Sequence, residues 1–182
     1  MNNAAMYPLA MRIMHWLMAA LILALLFVGL SMVTSLSAWQ YQLLAWHKAA
    51  GLVAAFAVVL RFIIRLRSTV PSLPASMPKV QQQLAKLTHL AFYLLLVAMP
   101  LTGYLMQNAA GRPLQFLGIA LPQLLSTDLA WYGLLRELHA WCSVLLIMLI
   151  VLHITAALYH GVIKADGVLG SMCKSVTKRT ND

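Results

Sequence analysis

Four long apolar segments divide this chain, and each is long enough to cross a membrane as a single helix. They run over residues 9–34, 41–66, 84–106 and 135–163. A helix needs about 20 apolar residues to span the hydrocarbon core of a bilayer. The first run exceeds the core of a signal peptide, about 7–15 residues, so we expect it to be retained as a helix. The pattern predicts an all-α, integral membrane four-helix bundle, with residues 1–182 in a single domain.

The connection between the third and fourth segments contains one further apolar stretch, residues 114–125. It has 12 residues and is interrupted by Pro122. Because it is too short to span a bilayer, we expect it to lie at the membrane surface. Pro100 falls inside the third segment and predicts a kink there, since proline removes one helical hydrogen bond.

The composition supports the membrane assignment, and the positions of the charged residues decide how the positive net charge is interpreted. The chain is 62% hydrophobic and 9% charged, and its formal net charge is +9. A basic chain is a candidate for nucleic-acid binding. Here, however, the charges cluster at the segment ends, as topology signals do, so we expect a lipid bilayer and no nucleic acid as partner.

The positions of lysine and arginine predict the orientation. Ten lie on one side of the predicted membrane and three on the other. Cytoplasmic loops carry the excess of positive residues, so both termini are predicted to be cytoplasmic. We call that side inner and the opposite side outer. The inner ten are Arg12, Arg61, Arg65, Arg67, Lys79, Lys86, Lys164, Lys174, Lys178 and Arg179; the outer three are Lys48, Arg112 and Arg136.

Four of the six histidines stand out as candidates inside or at the edges of the apolar segments: His15, His47, His139 and His153. An imidazole in lipid is costly without a partner, which makes each a candidate functional residue. His139 and His153 are 14 residues apart on the fourth segment. On a helix this separation is about 21 Å and places both within about 40° of the same face.

Depth sorts these histidines into two levels. His47 and His139 open their segments at the outer side, whereas His15 and His153 lie deeper towards the inner side. A haem iron takes one axial ligand on each face of its ring, which histidines on facing helices can supply. The pattern therefore predicts two haems, with axial pairs His47/His139 and His15/His153.

Two further histidines stay open as alternatives at the inner level. His160 is seven residues beyond His153 and nearly on the same face, so by depth alone it could replace that residue. His89 opens the third segment from the inner side. Taken singly, any of these histidines could also be an interfacial group without a ligand.

In this order on four segments, the residues resemble the bacterial cytochrome b561 family of four-helix, di-haem membrane proteins. The resemblance covers about residues 7–172. It is carried by Met14-His15-Trp16-Leu17, His47-Lys48, His89-Leu90, Pro100 with Gly103, Gly111-Arg112-Pro113, Leu138-His139 and Leu152-His153. The chain departs from some members at Tyr159-His160, where a His-His pair is common, and over residues 167–170.

The resemblance implies a protein of the bacterial inner membrane with two b-type haems. It implies bis-histidine ligation by His15, His47, His139 and His153, and it favours His153 over His160. Iron with two histidine ligands has no open coordination position, which favours one-electron transfer over oxygen binding. Similar proteins exchange electrons with membrane quinone, and some are thought to oxidise superoxide at the outer face and reduce ubiquinone. An oxidoreductase of this kind is the expected function.

The basic residues near the histidines are candidate cofactor-binding groups. Lys48, Arg112 and Arg136 could pair with haem propionates, or they could attract a small anion to the outer side. Arg61 lies inside the second segment, where it could pair with a propionate of the inner haem or extend to the inner surface. Glu137 could pair with Arg136 or cap the fourth helix.

Two other functions fit the same residues. The chain could be the haem-bearing membrane anchor of a dehydrogenase or hydrogenase, with a soluble redox partner. It could also be a transport protein whose histidines hold a metal ion or haem in transit, although no carboxylate is predicted deep within the spans, which weighs against ion transport.

Overall fold

The computed structural model describes residues 6–34, 39–72, 77–116 and 118–173. Four long helices dominate it, and all four are long and apolar enough to cross a membrane. The elements are α1 (Leu9–Thr34), α2 (Gln40–Leu66), α3 (Lys79–Ala109), β1 (Gln115–Phe116), β2 (Ile119–Ala120), α4 (Leu129–Leu158), a π-helical turn (Tyr159–Lys164) and α5 (Val168–Cys173). The predicted membrane-spanning, four-helix architecture is confirmed. Lys174, Lys178 and Arg179, which contributed to the predicted orientation, lie outside the described residues.

The four helices pack mainly in two neighbouring pairs, α1 with α2 and α3 with α4, and α2 also packs against α3. Many large apolar side chains face outward: Phe27 and Val162, for example, are 73% and 74% exposed. A bilayer is as apolar as these side chains, so a membrane bundle does not have to bury them. The buried positions, such as Val58 and Leu146, mark the contacts between helices.

Two helices are longer than the hydrophobic pattern predicts. Helix α3 begins at Lys79 and ends at Ala109, and helix α4 begins at Leu129. Asp128 starts α4, because its side chain accepts a hydrogen bond of 2.9 Å from the backbone N–H of Trp131. A carboxylate at this position satisfies a free N–H and favours the positive end of the helix dipole. The hypothesis that Glu137 caps this helix is therefore wrong, since Glu137 lies in its interior.

The connection between α3 and α4 is fastened to the end of α3 and forms an outer cap. The side-chain oxygen of Asn108 accepts a hydrogen bond of 2.6 Å from the backbone of Leu124. The hydroxyl of Tyr104 donates to the carbonyl of Pro122. Between these points, β1 and β2 pair antiparallel, and Gly118, just before β2, has φ +81°. The apolar stretch 114–125 thus contains a small hairpin.

A second cap closes the inner ends of α1 and α4. The carbonyl of Met172, in α5, accepts hydrogen bonds of 3.3 Å from both Arg12 and Trp16 on α1. Helix α5 also lies against the π-helical turn at Gly161, where an added Cβ would come within 2.9 Å of the Cβ of Leu169. Helix α5 therefore joins the two helices that carry His15 and His153.

Candidate functional site

The structure brings the four membrane histidines together in two pairs. The rings of His47 on α2 and His139 on α4 have centroids 6.3 Å apart at the outer level. The rings of His15 on α1 and His153 on α4 are 6.2 Å apart at the inner level. Each level thus combines one histidine of α4 with one from another helix.

The spacing within each pair suits one iron between two imidazoles. A metal–imidazole nitrogen bond is about 2 Å long and that nitrogen lies about 1.2 Å from its ring centroid, so opposed ligands have centroids about 6.4 Å apart. Both observed separations are within about 0.2 Å of this value. Across the described ranges, no group of three or more His, Cys, Asp or Glu side chains could hold a bare metal ion. Two ligands per level therefore fit a haem iron better than a closed metal site.

A large cavity surrounds the outer pair. Its volume is about 830 Å³, and His47 and His139 both line it. Cofactor sites typically have volumes of about 300–1,000 Å³. Two glycines leave room beside the rings, because a Cβ on Gly29 would lie 3.5 Å from His47 and one on Gly103 would lie 3.3 Å from His139. The outer level therefore offers a cofactor-sized space with an imidazole on each side.

His139 is held by groups on α3 around Pro100. Its Nδ1 lies 3.1 Å from the backbone oxygen of Met99 and 3.1 Å from the hydroxyl of Thr102. A carbonyl can only accept, so Nδ1 carries the proton, and Nε2 is left with a lone pair for a metal. The sequence reasoning missed Met99 and Thr102; the proline between them, which disturbs the helix, was the available signal.

His47 is held less firmly than its partner. The backbone carbonyl of Leu25 lies next to it. Within the described residues, however, its Nδ1 makes no hydrogen bond of ordinary length and angle. The two histidines of the outer pair therefore differ in how tightly their rings are oriented.

The inner level has a more crowded set of polar groups. The Arg61 side chain donates to Nδ1 of His15 over 3.3 Å. The ring of His153 also faces His89 at 6.2 Å and Phe92 at 5.3 Å between centroids. Nδ1 of His89 donates to the carbonyl of Ala85 over 2.7 Å. His89 thus stands as close to His153 as His15 does.

His160, the alternative to His153, has a different neighbour. Its Nδ1 lies 2.5 Å from a carboxylate oxygen of Asp166, and both side chains are largely buried. Among the residues that the structure describes, no other carboxylate lies within 4 Å of a basic side-chain nitrogen. The expected pair of Glu137 with Arg136 is accordingly not formed. His160 therefore belongs to the inner cap, whereas His153 faces His15.

The predicted outer cations lie around the outer cavity. Lys48, Arg112 and Arg136 all line it, together with Glu137. Arg112 and Arg136 are exposed and Lys48 is half-buried. Three cations against one acid give this opening a positive balance, which favours carboxylate groups or small anions. Arg61 lies at the inner level instead, beside His15.

Comparison with known proteins agrees with this architecture. The family model described as prokaryotic cytochrome b561 matches residues 6–175. The chain is 30% identical to cytochrome b561 homolog 2 of Escherichia coli (strain K12) over 174 residues, 94% of this chain and 93% of that protein. It is 28% identical to cytochrome b561 homolog 1 of the same organism over 123 residues, 68% of this chain and 70% of that protein. The chain therefore belongs to the prokaryotic cytochrome b561 family, whose members are haem b-binding, multi-pass electron-transfer proteins of the bacterial inner membrane.

Proposed function

We propose that this chain holds two b haems, one at each histidine level, and carries single electrons between the outer face and membrane quinone. The observation that carries the proposal is the pairing of histidines at two levels, with ring centroids 6.3 Å and 6.2 Å apart. Because His139 and His153 lie 14 residues apart on α4, the levels are separated by about 21 Å along that helix.

In this proposal His47 and His139 would hold the outer haem, and His15 and His153 would hold the inner one. Haem iron with two histidine ligands supplies one-electron transfer without an open position for oxygen. The protein orients the rings and excludes water. At the outer level, Met99 and Thr102 hold His139 through its Nδ1, which leaves Nε2 free to bind iron.

The inner level requires one rearrangement. An arginine can only donate, so the contact with Arg61 leaves the ring proton of His15 on Nε2. Ligation through Nε2 needs that proton on Nδ1 instead. We propose that Arg61 turns from His15 to a haem propionate, since a guanidinium pairs strongly with a carboxylate. The buried NH1 group of Arg61, which has no hydrogen-bond partner in the described chain, is available for this contact.

The outer opening favours an anionic electron donor, and superoxide is the specific candidate. Superoxide gives up one electron and becomes oxygen, and ubiquinone takes two electrons and two protons to become ubiquinol. Oxidation of two superoxide ions therefore supplies the two electrons that reduce one ubiquinone. Lys48, Arg112 and Arg136 at the outer cavity would raise the local concentration of a small anion. Lys48 and Arg136 are equally suited to pair with haem propionates.

A quantitative haem assay on detergent-purified protein tests the proposal. We expect two haems b per chain, sharp low-spin visible bands and no response of the reduced protein to carbon monoxide. Addition of a soluble ubiquinol analogue should reduce the haems, and superoxide should do so through the outer one. Absence of haem would contradict the proposal and favour a transport function. Haem reduction only with a copurifying dehydrogenase would favour the membrane-anchor function.

A further inference from the structure

Gln107 is a buried amide at the outer end of α3 that the histidine sites leave unexplained. Its residue is 4% exposed, and it lines the outer cavity. Its side-chain oxygen is buried and has no hydrogen-bond partner within the described chain. A buried polar atom without a partner costs free energy, so this amide is expected to gain a partner when the cavity is filled.

The next residue, Asn108, has a side-chain amide whose oxygen and nitrogen are both hydrogen-bonded. Asn108 accepts from the backbone of Leu124 over 2.6 Å and donates to the carbonyl of Tyr104 over 3.1 Å. The amide oxygen of Asn108 thus fastens the outer cap, and its amide nitrogen is satisfied within α3. The side-chain oxygen of Gln107 makes no such bond within the described chain. Its backbone oxygen accepts a hydrogen bond of 3.0 Å from the backbone N–H of Arg112. The structural role of this helix end is therefore fulfilled without the Gln107 side chain.

Gln107 lies on the same side of α3 as the ring of His139. It lies four residues beyond Gly103, which stands beside the ring of His139. Four residues of helix rise by about 6 Å and return to nearly the same face. Gln107 therefore lies one turn outward of the His139 ring on the same wall of the cavity.

The chemistry of this end of the cavity fits a carboxylate. Lys48, Arg112 and Arg136 line it and can only donate hydrogen bonds. As placed, the unpartnered atom of Gln107 is an oxygen, which can only accept. Rotation by about 180° about the last side-chain bond puts the amide nitrogen in its place, and that nitrogen can donate to a carboxylate. A ligand edge that carries carboxylates would be met by three cations and one amide donor. The propionates of a haem are such an edge.

We propose that Gln107 donates a hydrogen bond to a propionate of the haem held between His47 and His139, and so raises the reduction potential of that haem. The inference rests on the di-haem proposal. A hydrogen bond to the propionate offsets part of its negative charge. Without it the oxidised iron, which carries one more positive charge, is favoured and the potential falls.

The test is Gln107→Met, which keeps an unbranched side chain of similar length and removes the donor. Its matched control is Gln115→Met, the same change at an exposed position of β1 that does not line the cavity. We expect Gln107→Met to lower the potential of one haem in a spectroelectrochemical titration and to shift a propionate bending band in the resonance Raman spectrum. Gln115→Met should do neither. Should Gln107→Met bind less haem than the wild type, Gln107→Leu is measured in its place.

The assignment to the outer level is tested in the background of His153→Ala, which under the proposal retains the outer haem. The shift must persist there. Two bound haems with unchanged potentials and an unchanged propionate band would overturn the inference and leave the di-haem proposal intact. A lowered potential without a change of the propionate band would also overturn it, since the amide would then bind a water molecule or a quinone carbonyl. Wild-type protein without haem would instead contradict the proposed function itself.

Discussion

The Nδ1 atom of His139 lies 3.1 Å from the backbone oxygen of Met99, so a histidine of α4 is oriented by the main chain of α3. Gly103 is next to this contact, and a Cβ there would lie 3.3 Å from Cε1 of the same ring. The ring of His139 thus occupies a notch on α3, which is formed by the carbonyl of Met99 and by the absence of a side chain at Gly103.

Filling this notch should remove the outer haem. Gly103→Leu is expected to displace His139 and to lower haem content from two haems to one per chain, measured by haem extraction and visible spectra. Gly133→Leu is the control, because nothing lies within 4 Å of a Cβ at Gly133 on α4. Retention of both haems in Gly103→Leu would show that His139 does not need this position.

Loss of the Thr102 hydroxyl should have a smaller effect. Thr102→Val keeps the shape of the side chain and removes the oxygen that lies 3.1 Å from Nδ1 of His139. Removing the hydrogen-bond partner of a metal-ligating histidine typically lowers metal affinity about 10–100-fold. Met99 still accepts from His139 in this variant, so we expect a loss of haem affinity of about 10-fold or less. Competition with apomyoglobin for haem measures it, and a complete loss of the outer haem would contradict this division of roles.

The pairing of ligands makes a prediction about double variants. Removing both members of one pair, as in His47→Ala with His139→Ala, should cost the same single haem as either change alone. Removing one member of each pair, as in His47→Ala with His15→Ala, should leave no haem. Haem content per chain distinguishes the two cases. If the combination of His15→Ala with His153→Ala removes more haem than either single change, the pairs are assigned wrongly.

The inner cap should support the inner level only. Asp166→Asn weakens the contact with His160, in which the two side chains are 15% and 18% exposed. A hydrogen bond to a charged group contributes about 1.5–3 kcal/mol, and we expect a loss towards the lower end. The melting temperature should fall, and the inner haem should be lost before the outer one on heating. Glu137→Gln, the same kind of change at the outer side, is the control. An equal loss of both haems would contradict a local role.

Neutralising the outer cations should slow reaction with superoxide. In Lys48→Gln with Arg112→Gln, the rate of haem reduction by superoxide should fall and become less sensitive to salt, because steering of an anion is screened by ions. Stopped-flow measurement at several ionic strengths tests this. Lys86→Gln with Arg67→Gln removes the same charge at the inner side and should leave the rate unchanged. An unaltered rate and salt dependence in the outer variant would contradict steering.

The hydrophobic pattern predicted the four spanning helices because length and polarity alone decide whether a segment can cross a bilayer. It also predicted the neighbours His47/His139 and His15/His153, since depth along each helix follows from the rise per residue. Helices α3 and α4 begin at Lys79 and Leu129, before the apolar segments do, so the predicted helices were too short at these ends. Asp128, three residues before Trp131, is a helix start signal that the hydrophobic pattern alone does not include.

Other parts of the site depend on contacts between distant residues and could not be read from the sequence. The inner cap joins Met172 to Arg12 across 160 residues of chain. The roles of Thr102 and Gln107 depend on which face of α3 meets the cavity, and that face is set by packing against α4. The resemblance already favours His153 over His160, and the structure adds that the ring of His153 faces that of His15 whereas His160 contacts Asp166.

One helix, α4, contributes a histidine to both levels. The vertical distance between them is therefore set by 14 residues of continuous helix, about 21 Å. Sideways movement of α1 or α2 can open or close one histidine pair, but it cannot change that distance. In the di-haem proposal, the rate of electron transfer between the levels would depend on this distance, so it should tolerate sideways loosening of the bundle. An insertion or deletion between His139 and His153 should change this rate far more than substitutions on the lipid-facing sides of the other helices.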